Sequence, residues 1–276
     1  MDDAERRVAV RRIARAGDPD RTLAALFAPS GVRDDLFALY AFNVELARIA
    51  EQVTEPGLGD IRLQWWRDAI ERAAAGESGG HPVADAFGAV LARRWLSRER
   101  VAKLIDARSF DVGQIVMPDT PTLCAYLSDT AGNVFVLAGE ILGAKGKQWG
   151  SAVKAAGTAY GLTGLMRFLP FHVLQGRVDF PADALARHGV LPQAILAGET
   201  SPGLDALLSE MRKEARQALY DAQDHLGGID EGGRAALLPL NVVAPYLAAL
   251  GKLRDPFREI ATINPLFRLW RLAMSK

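Results

Sequence analysis

Arg167 and Arg177 are the side chains of this sequence best suited to chemistry with an anion. A guanidinium is a planar, permanently charged fork that pairs with phosphate without help from a metal. Each arginine therefore has two open readings: it faces an anionic headgroup, or it pairs with a structural carboxylate such as Asp179 or Glu51. Other candidates are weaker. Asp34 and Asp35 are adjacent, so on a helix they point in different directions; at a helix start they complement the dipole. His172 could ligate a transition metal, but His81, His188 and His225 lie far off in sequence and no zinc spacing forms. Cys124, flanked by Leu123, Ala125, Tyr126 and Leu127, reads as a small core residue. As the single cysteine it excludes an internal disulfide.

The elements that must position these groups are helical. Of the 276 residues, 49% are hydrophobic and 24% charged, the balance of a globular protein with a sizeable core. Net charge is zero, so no global field draws the chain to nucleic acid. Leu36, Leu39, Tyr40, Asn43, Val44 and Ala47 repeat at helical spacing, and Ile61, Trp65, Ala69 and Ile70 do so more loosely. Proline and glycine punctuation predicts helices near 33–53, 84–95, 98–112, 120–143, 148–174, 203–226, 232–251 and 264–273. Asp18-Pro19-Asp20 opens a further one. Alternating strand runs are absent. The prediction is a single all-α domain over residues 1–276.

Glycines in 132–143 and 157–164 predict close backbone approach between central helices. Pro170 should break the second of these just after Arg167. Of the adjacent tryptophans, which diverge by about 100° on a helix, Trp65 reads as core and Trp66 as packing at a rim or partner surface, with core packing of both favoured over a binding platform. No stretch reads as the roughly 20 apolar residues needed to span a bilayer. The C-terminal run of aromatics and arginines offers a peripheral membrane contact as a minor alternative. The N-terminal segment reads as a surface helix. A cytoplasmic location, with contact to the inner membrane as a further option, is the corresponding expectation.

Residues 157–181, GTAYGLTGLMRFLPFHVLQGRVDFP, resemble the second signature of squalene and phytoene synthases. Leu162, Thr163, Arg167, Gly176, Arg177 and Pro181 fall on it. Phe168 stands where its first aspartate belongs, Phe171 and His172 where the next acids belong, and Gly161 and Gly164 at its Gln and Asn positions. Residues 38–52, ALYAFNVELARIAEQ, resemble the first signature through Leu39, Tyr40, Ala41 and Phe42. There Val44 replaces an arginine, Ala47 and Arg48 replace the aspartate pair, and Glu51 keeps the third acid. AGNV at 131–134 resembles a further family segment.

In active members, aspartates one turn apart hold magnesium against a prenyl diphosphate. Here the turn pairs are Ala47/Glu51 and Phe168/His172, and only Glu51 is a hard anionic ligand. The resemblance implies an all-α isoprenoid-synthase fold with no metal and no cofactor. Tyr40, Glu51, Gly161, Gly164, Arg167 and Arg177 are the ligand-binding candidates. YAFNVELAR and IRLQWWRDAIE resemble the aspartate-poor branch that contains the mitochondrial complex I assembly factor and bacterial relatives. That implies a non-catalytic protein holding an isoprenoid or lipid, assisting assembly of a respiratory complex, or both. The alternative is an active magnesium-dependent head-to-head prenyltransferase with ligands from Glu45, Glu51 and Asp179. A bundle with a collapsed cavity serving as an interaction scaffold is the third reading.

Overall fold

The computed structural model describes residues 2–53, 56–113 and 115–274. Helix starts follow from capping chemistry. Asp2 and Glu5 form a reciprocal capping box on α1 (Asp3–Gly17). Asp18 caps α2 (Pro19–Ala25), whose first position is Pro19, where a missing N–H costs nothing. The long predicted helix over 33–53 is split at Arg48 into α3 (Ser30–Ala47) and α4 (Ile49–Gln52). Then follow α5 (Pro56–Ala74), α6 (Pro82–Arg93), α7 (Arg98–Asp106) and α8 (Ser109–Gly113).

The second half is built around one helix. After β1 (Val116–Met117) come α9 (Thr120–Leu127), a π-helical turn at Ser128–Gly132, and α10 (Asn133–Leu142). The central helix α11 (Trp149–Arg167) ends where expected, with Pro170 inside the next short helix, α12 (Leu169–Leu174). β2 (Val178–Pro181), α13 (Ala182–Arg187) and α14 (Pro192–Leu196) lead to α15 (Pro202–Asp224), which packs along α11. The chain closes with α16 (Glu231–Leu237), α17 (Val243–Leu250) and α18 (Pro265–Ala273).

Two apolar cores meet at Trp149, which packs against both. In one, Phe42 of α3 stacks on Phe87 of α6 at 4.4 Å and meets Trp66 edge-on at 5.5 Å. In the other, Leu162 and Ala159 of α11 are packed among Leu204, Leu207 and Met211 of α15. Gly157 of α11 lets the backbone of Gly132 approach so closely that a Cβ would lie 2.7 Å from the Gly132 Cα. This is the close approach the glycine clusters predicted.

Four expectations need correction. Trp66 is buried, as core packing of both would have it, but Trp65 is 41% exposed and not in the core. Adjacent tryptophans satisfy either helical phase, and Leu63, Ile70 and Ala73 fix the one in which Trp66 points inward. Cys124 is exposed, because Leu123 and Leu127 form the buried stripe of α9 and the thiol lies beside it. A two-strand parallel ladder joins β1 to β2, with Val178 N–H donating to the Ile115 carbonyl at 2.7 Å; two paired residues are too few to leave a periodic signal. Residues Glu231–Leu250 are, by length and composition alone, long and apolar enough to cross a membrane. A 3-10 turn at Leu238–Val242 interrupts them, and Val242, Val243, Tyr246 and Leu247 are buried in the fold.

Candidate functional site

A cavity of about 570 Å³ opens between the ends of α1, α3 and α11, the start of α2, and the π-helical turn. Both degenerate signatures line it. Ala47, Arg48 and Glu51 come from one side; Gly161, Gly164, Arg167, Phe168, Phe171, His172 and Arg177 come from the other. The expected juxtaposition of Ala47 and Phe168 across a shared space is therefore present. Tyr40 is the exception. It is 3% exposed and lies behind Arg21, outside the cavity wall. Burial pushes its phenol well above the ordinary range, against the pull of Arg21.

One wall is a buried network of charge. Arg177 donates through Nη2 to Asp111 Oδ1 at 2.9 Å and Asp179 Oδ1 at 2.8 Å. Arg108 donates to Asp111 Oδ2 at 3.1 Å and to Asn43 Oδ1 at 3.1 Å. The Tyr126 hydroxyl donates to Asp111 Oδ1 at 2.9 Å. His172 Nδ1 lies 2.5 Å from Asp179 Oδ2. Burial pushes the Asp179 carboxyl up, but His172 and Arg177 outweigh it and hold the group below the usual range.

A second cluster centres on Asp20, which is 3% exposed. Arg268 Nε lies 3.0 Å from its Oδ1, and Arg167 Nη1 lies 3.5 Å from its Oδ2. The Tyr246 hydroxyl donates to Oδ1 at 3.1 Å, and the Arg167 guanidinium stacks on the Tyr246 ring at 3.5 Å. Nearby, Arg21 pairs with Asp18 at 3.0 Å and lies over the Tyr160 ring at 4.3 Å.

Of the two readings open for Arg167 and Arg177, pairing with a carboxylate is the one present. Arg177 takes Asp179, as one reading held, together with Asp111; Arg167 takes Asp20 and not Glu51. Glu51 is exposed at the rim, and neither it nor Arg48 makes an ion pair among the described residues. Gly161 and Gly164 also differ. A Cβ on Gly161 would meet Leu127 Cδ2 at 2.5 Å, so that glycine makes room for packing; Gly164 has nothing within 4 Å. The alternative ligand set is not assembled: Glu45 does not line the cavity, and Asp179 is held by Arg177 and His172. No group of three or more His, Cys, Asp or Glu side chains could hold a metal ion among the described residues.

Sequence reasoning missed Asp18, Asp20, Arg21, Arg108, Asp111, Tyr126, Tyr160, Tyr246 and Arg268. Asp18-Pro19-Asp20 was legible as a helix start, which Asp18 is, but capping gives no sign that Asp20 turns inward. Arg108 and Asp111 stand at i, i+3 spacing, the ordinary spacing of a surface pair.

The squalene/phytoene synthase family pattern matches residues 14–276. The chain belongs to the squalene/phytoene synthase family. Among curated relatives it is 29% identical over 216 residues to NADH dehydrogenase (ubiquinone) complex I, assembly factor 6 of Homo sapiens. That match covers 78% of this chain and 62% of the human protein, so the chain spans less than two thirds of that relative's length. It is 27% identical over 250 residues to the phytoene synthase of Thermus thermophilus, covering 89% of this chain and 82% of that one. The fold is similar to that of squalene synthase HpnC from Alicyclobacillus acidocaldarius, with a TM-score of 0.76 at 20% identity over 89% of this chain and 93% of that one. A dehydrosqualene synthase complex aligns with a TM-score of 0.77 at 17% identity over 99% and 95% of the two chains. The all-α isoprenoid-synthase fold is thereby shown.

Proposed function

We propose that this chain is a non-catalytic member of its family, one domain over residues 1–276, that holds an isoprenoid or lipid chain in the cavity and assists assembly of a respiratory complex. One observation carries the first part: the cavity is retained while its metal ligands are replaced by Ala47, Arg48, Phe168 and His172. Its volume lies within the roughly 300–1,000 Å³ of small-molecule sites. Phe168 and Phe171, 40% and 44% exposed, supply apolar surface at the mouth where a tail would lie. The similarity to complex I assembly factor 6 supports the assembly role, with a respiratory-complex subunit as the protein partner and peripheral contact with an inner membrane. A cytoplasmic position against that membrane is part of the same reading.

Titration of a series of prenyl and acyl ligands against the purified protein tests it. Saturable, metal-independent binding that strengthens with chain length supports the lipid role. No binding by any of them would leave an interaction scaffold. The similarity to a phytoene synthase favours the second reading, a prenyltransferase. That reading requires hard ligands the cavity does not bring together.

A further inference from the structure

Two guanidiniums and a phenol converge from separate parts of the chain on one point of the cavity wall. Arg167 comes from the end of α11, Arg268 from α18, and Tyr246 from α17. Arg268 Nη2 donates to the Tyr246 hydroxyl oxygen at 3.0 Å, which locks the donors relative to one another. Converging guanidinium forks beside a hydroxyl are the donor set for a phosphoryl group. The point they converge on is occupied by the chain's own carboxylate. Asp20 is delivered there by α2, and its side chain is 4% exposed.

We infer that Asp20 is a built-in counter-ion that fills this anion cage and restricts the cavity to ligands with an uncharged head, such as a prenyl alcohol or a neutral lipid. This rests on the lipid-binding reading and names its ligand class. The charge inventory of the cavity agrees. Of the five arginines lining it, Arg21 is matched to Asp18, Arg108 to Asp111, Arg177 to Asp179 and Asp111, and Arg167 to Asp20, which it shares with Arg268. Among the described residues, Arg48 at the rim is the lining arginine left without a carboxylate partner. A diphosphate entering the cage would meet the carboxylate of Asp20 already on the two guanidiniums, in a medium that screens like charges poorly. Burial pushes the Asp20 carboxyl above the ordinary range against the pull of Arg167 and Arg268. Placing a carboxylate there is costly, as expected of a group whose use is not packing alone.

The experiment is calorimetric titration of wild type and Asp20→Asn with inorganic diphosphate, then with a prenyl alcohol and the prenyl diphosphate of the same chain length. Wild type is expected to show no saturable binding of inorganic diphosphate, and Asp20→Asn to bind it at least about tenfold more tightly, the scale of a close charge pair. Wild type should also favour the alcohol, and the variant the prenyl diphosphate. Saturable inorganic diphosphate binding by wild type, or none by folded Asp20→Asn, overturns the inference. If Asp20→Asn does not fold, Asp20→Ser, which leaves Arg167, Arg268 and Tyr246 in place, is read against the same two outcomes. Because inorganic diphosphate carries no tail, failure of both prenyl ligands would overturn the lipid reading while leaving the cage result legible.

Discussion

His172 Nδ1 sits 2.5 Å from Asp179 Oδ2, on the side of the carboxylate opposite the Arg177 contact at 2.8 Å. The residue standing at a metal-ligand position of the second signature is thus a partner of a buried acid. Its Asp179 partner is 4% exposed.

Replacing Asp179 with Asn is expected to destabilise the protein at pH 7 by about 3 kcal/mol, since breaking a buried pair costs about 3–5 and Asp111 remains for Arg177. The pH dependence follows from the sign of the shift. The Asp179 carboxyl is held below its ordinary value, so its contribution is fully present above the unfolded pKa and is lost as pH falls through the folded one. The gap between wild type and variant should be constant near neutrality and narrow only below about pH 4. Urea unfolding at a series of pH values measures this. A gap that closes between pH 8 and 6 would assign the effect to another group.

Magnesium should leave this protein inert toward prenyl diphosphates. A single exposed carboxylate, Glu51, cannot assemble a multi-ion site. The lost Lewis-acid stabilisation of several kcal/mol corresponds to about 10³-fold or more in rate. Diphosphate release from farnesyl or geranylgeranyl diphosphate should stay at background with magnesium present. Magnesium-dependent release abolished by Glu51→Gln would restore the prenyltransferase reading.

Legibility in the sequence was uneven, for physical reasons. The helices, the break after Arg167 and the shared space of Ala47 and Phe168 follow from periodicity, proline sterics and the signature frame. The partners of the arginines do not, because ion pairing is set by tertiary distance. Asp20 and Arg268 lie at opposite ends of the chain yet touch, and neither has a local pattern that announces the other. Asp111 looks like half of an exposed helical pair with Arg108, but α8 carries it into the cavity wall, where Arg177 joins it. Adjacent tryptophans fit either helical phase, and in α5 the phase is set by the buried Leu63, Ile70 and Ala73.

The same pair gives a stability test. Trp66 is 5% exposed and packs edge-on against Phe42 and His81, so Trp66→Ala should cost about 3–5 kcal/mol. Trp65→Ala, at a site 41% exposed, should cost clearly less. Denaturant midpoints of the two variants decide the register of α5; equal losses would contradict it.

Three glycines of α11 should separate packing from ligand space. A Cβ at position 157 would press on the Gly132 backbone at 2.7 Å, which cannot yield cheaply, so Gly157→Ala is expected to destabilise by about 1–3 kcal/mol. At 161 the obstacle is the flexible tip of Leu127 at 2.5 Å. Its displacement is offset by the roughly 1 kcal/mol that alanine gains over glycine in a helix, leaving Gly161→Ala near neutral. At 164 no atom lies within 4 Å, so Gly164→Ala should raise stability by up to about 1 kcal/mol. Gly164→Phe would project a ring into the cavity without disturbing the helices around it. If that space holds a lipid tail, the variant keeps its unfolding midpoint and loses affinity for prenyl ligands, most steeply for the longest chains. Unchanged affinity in Gly164→Phe would move the tail away from α11. A large drop in stability would mean that the space beside Gly164 closes in solution.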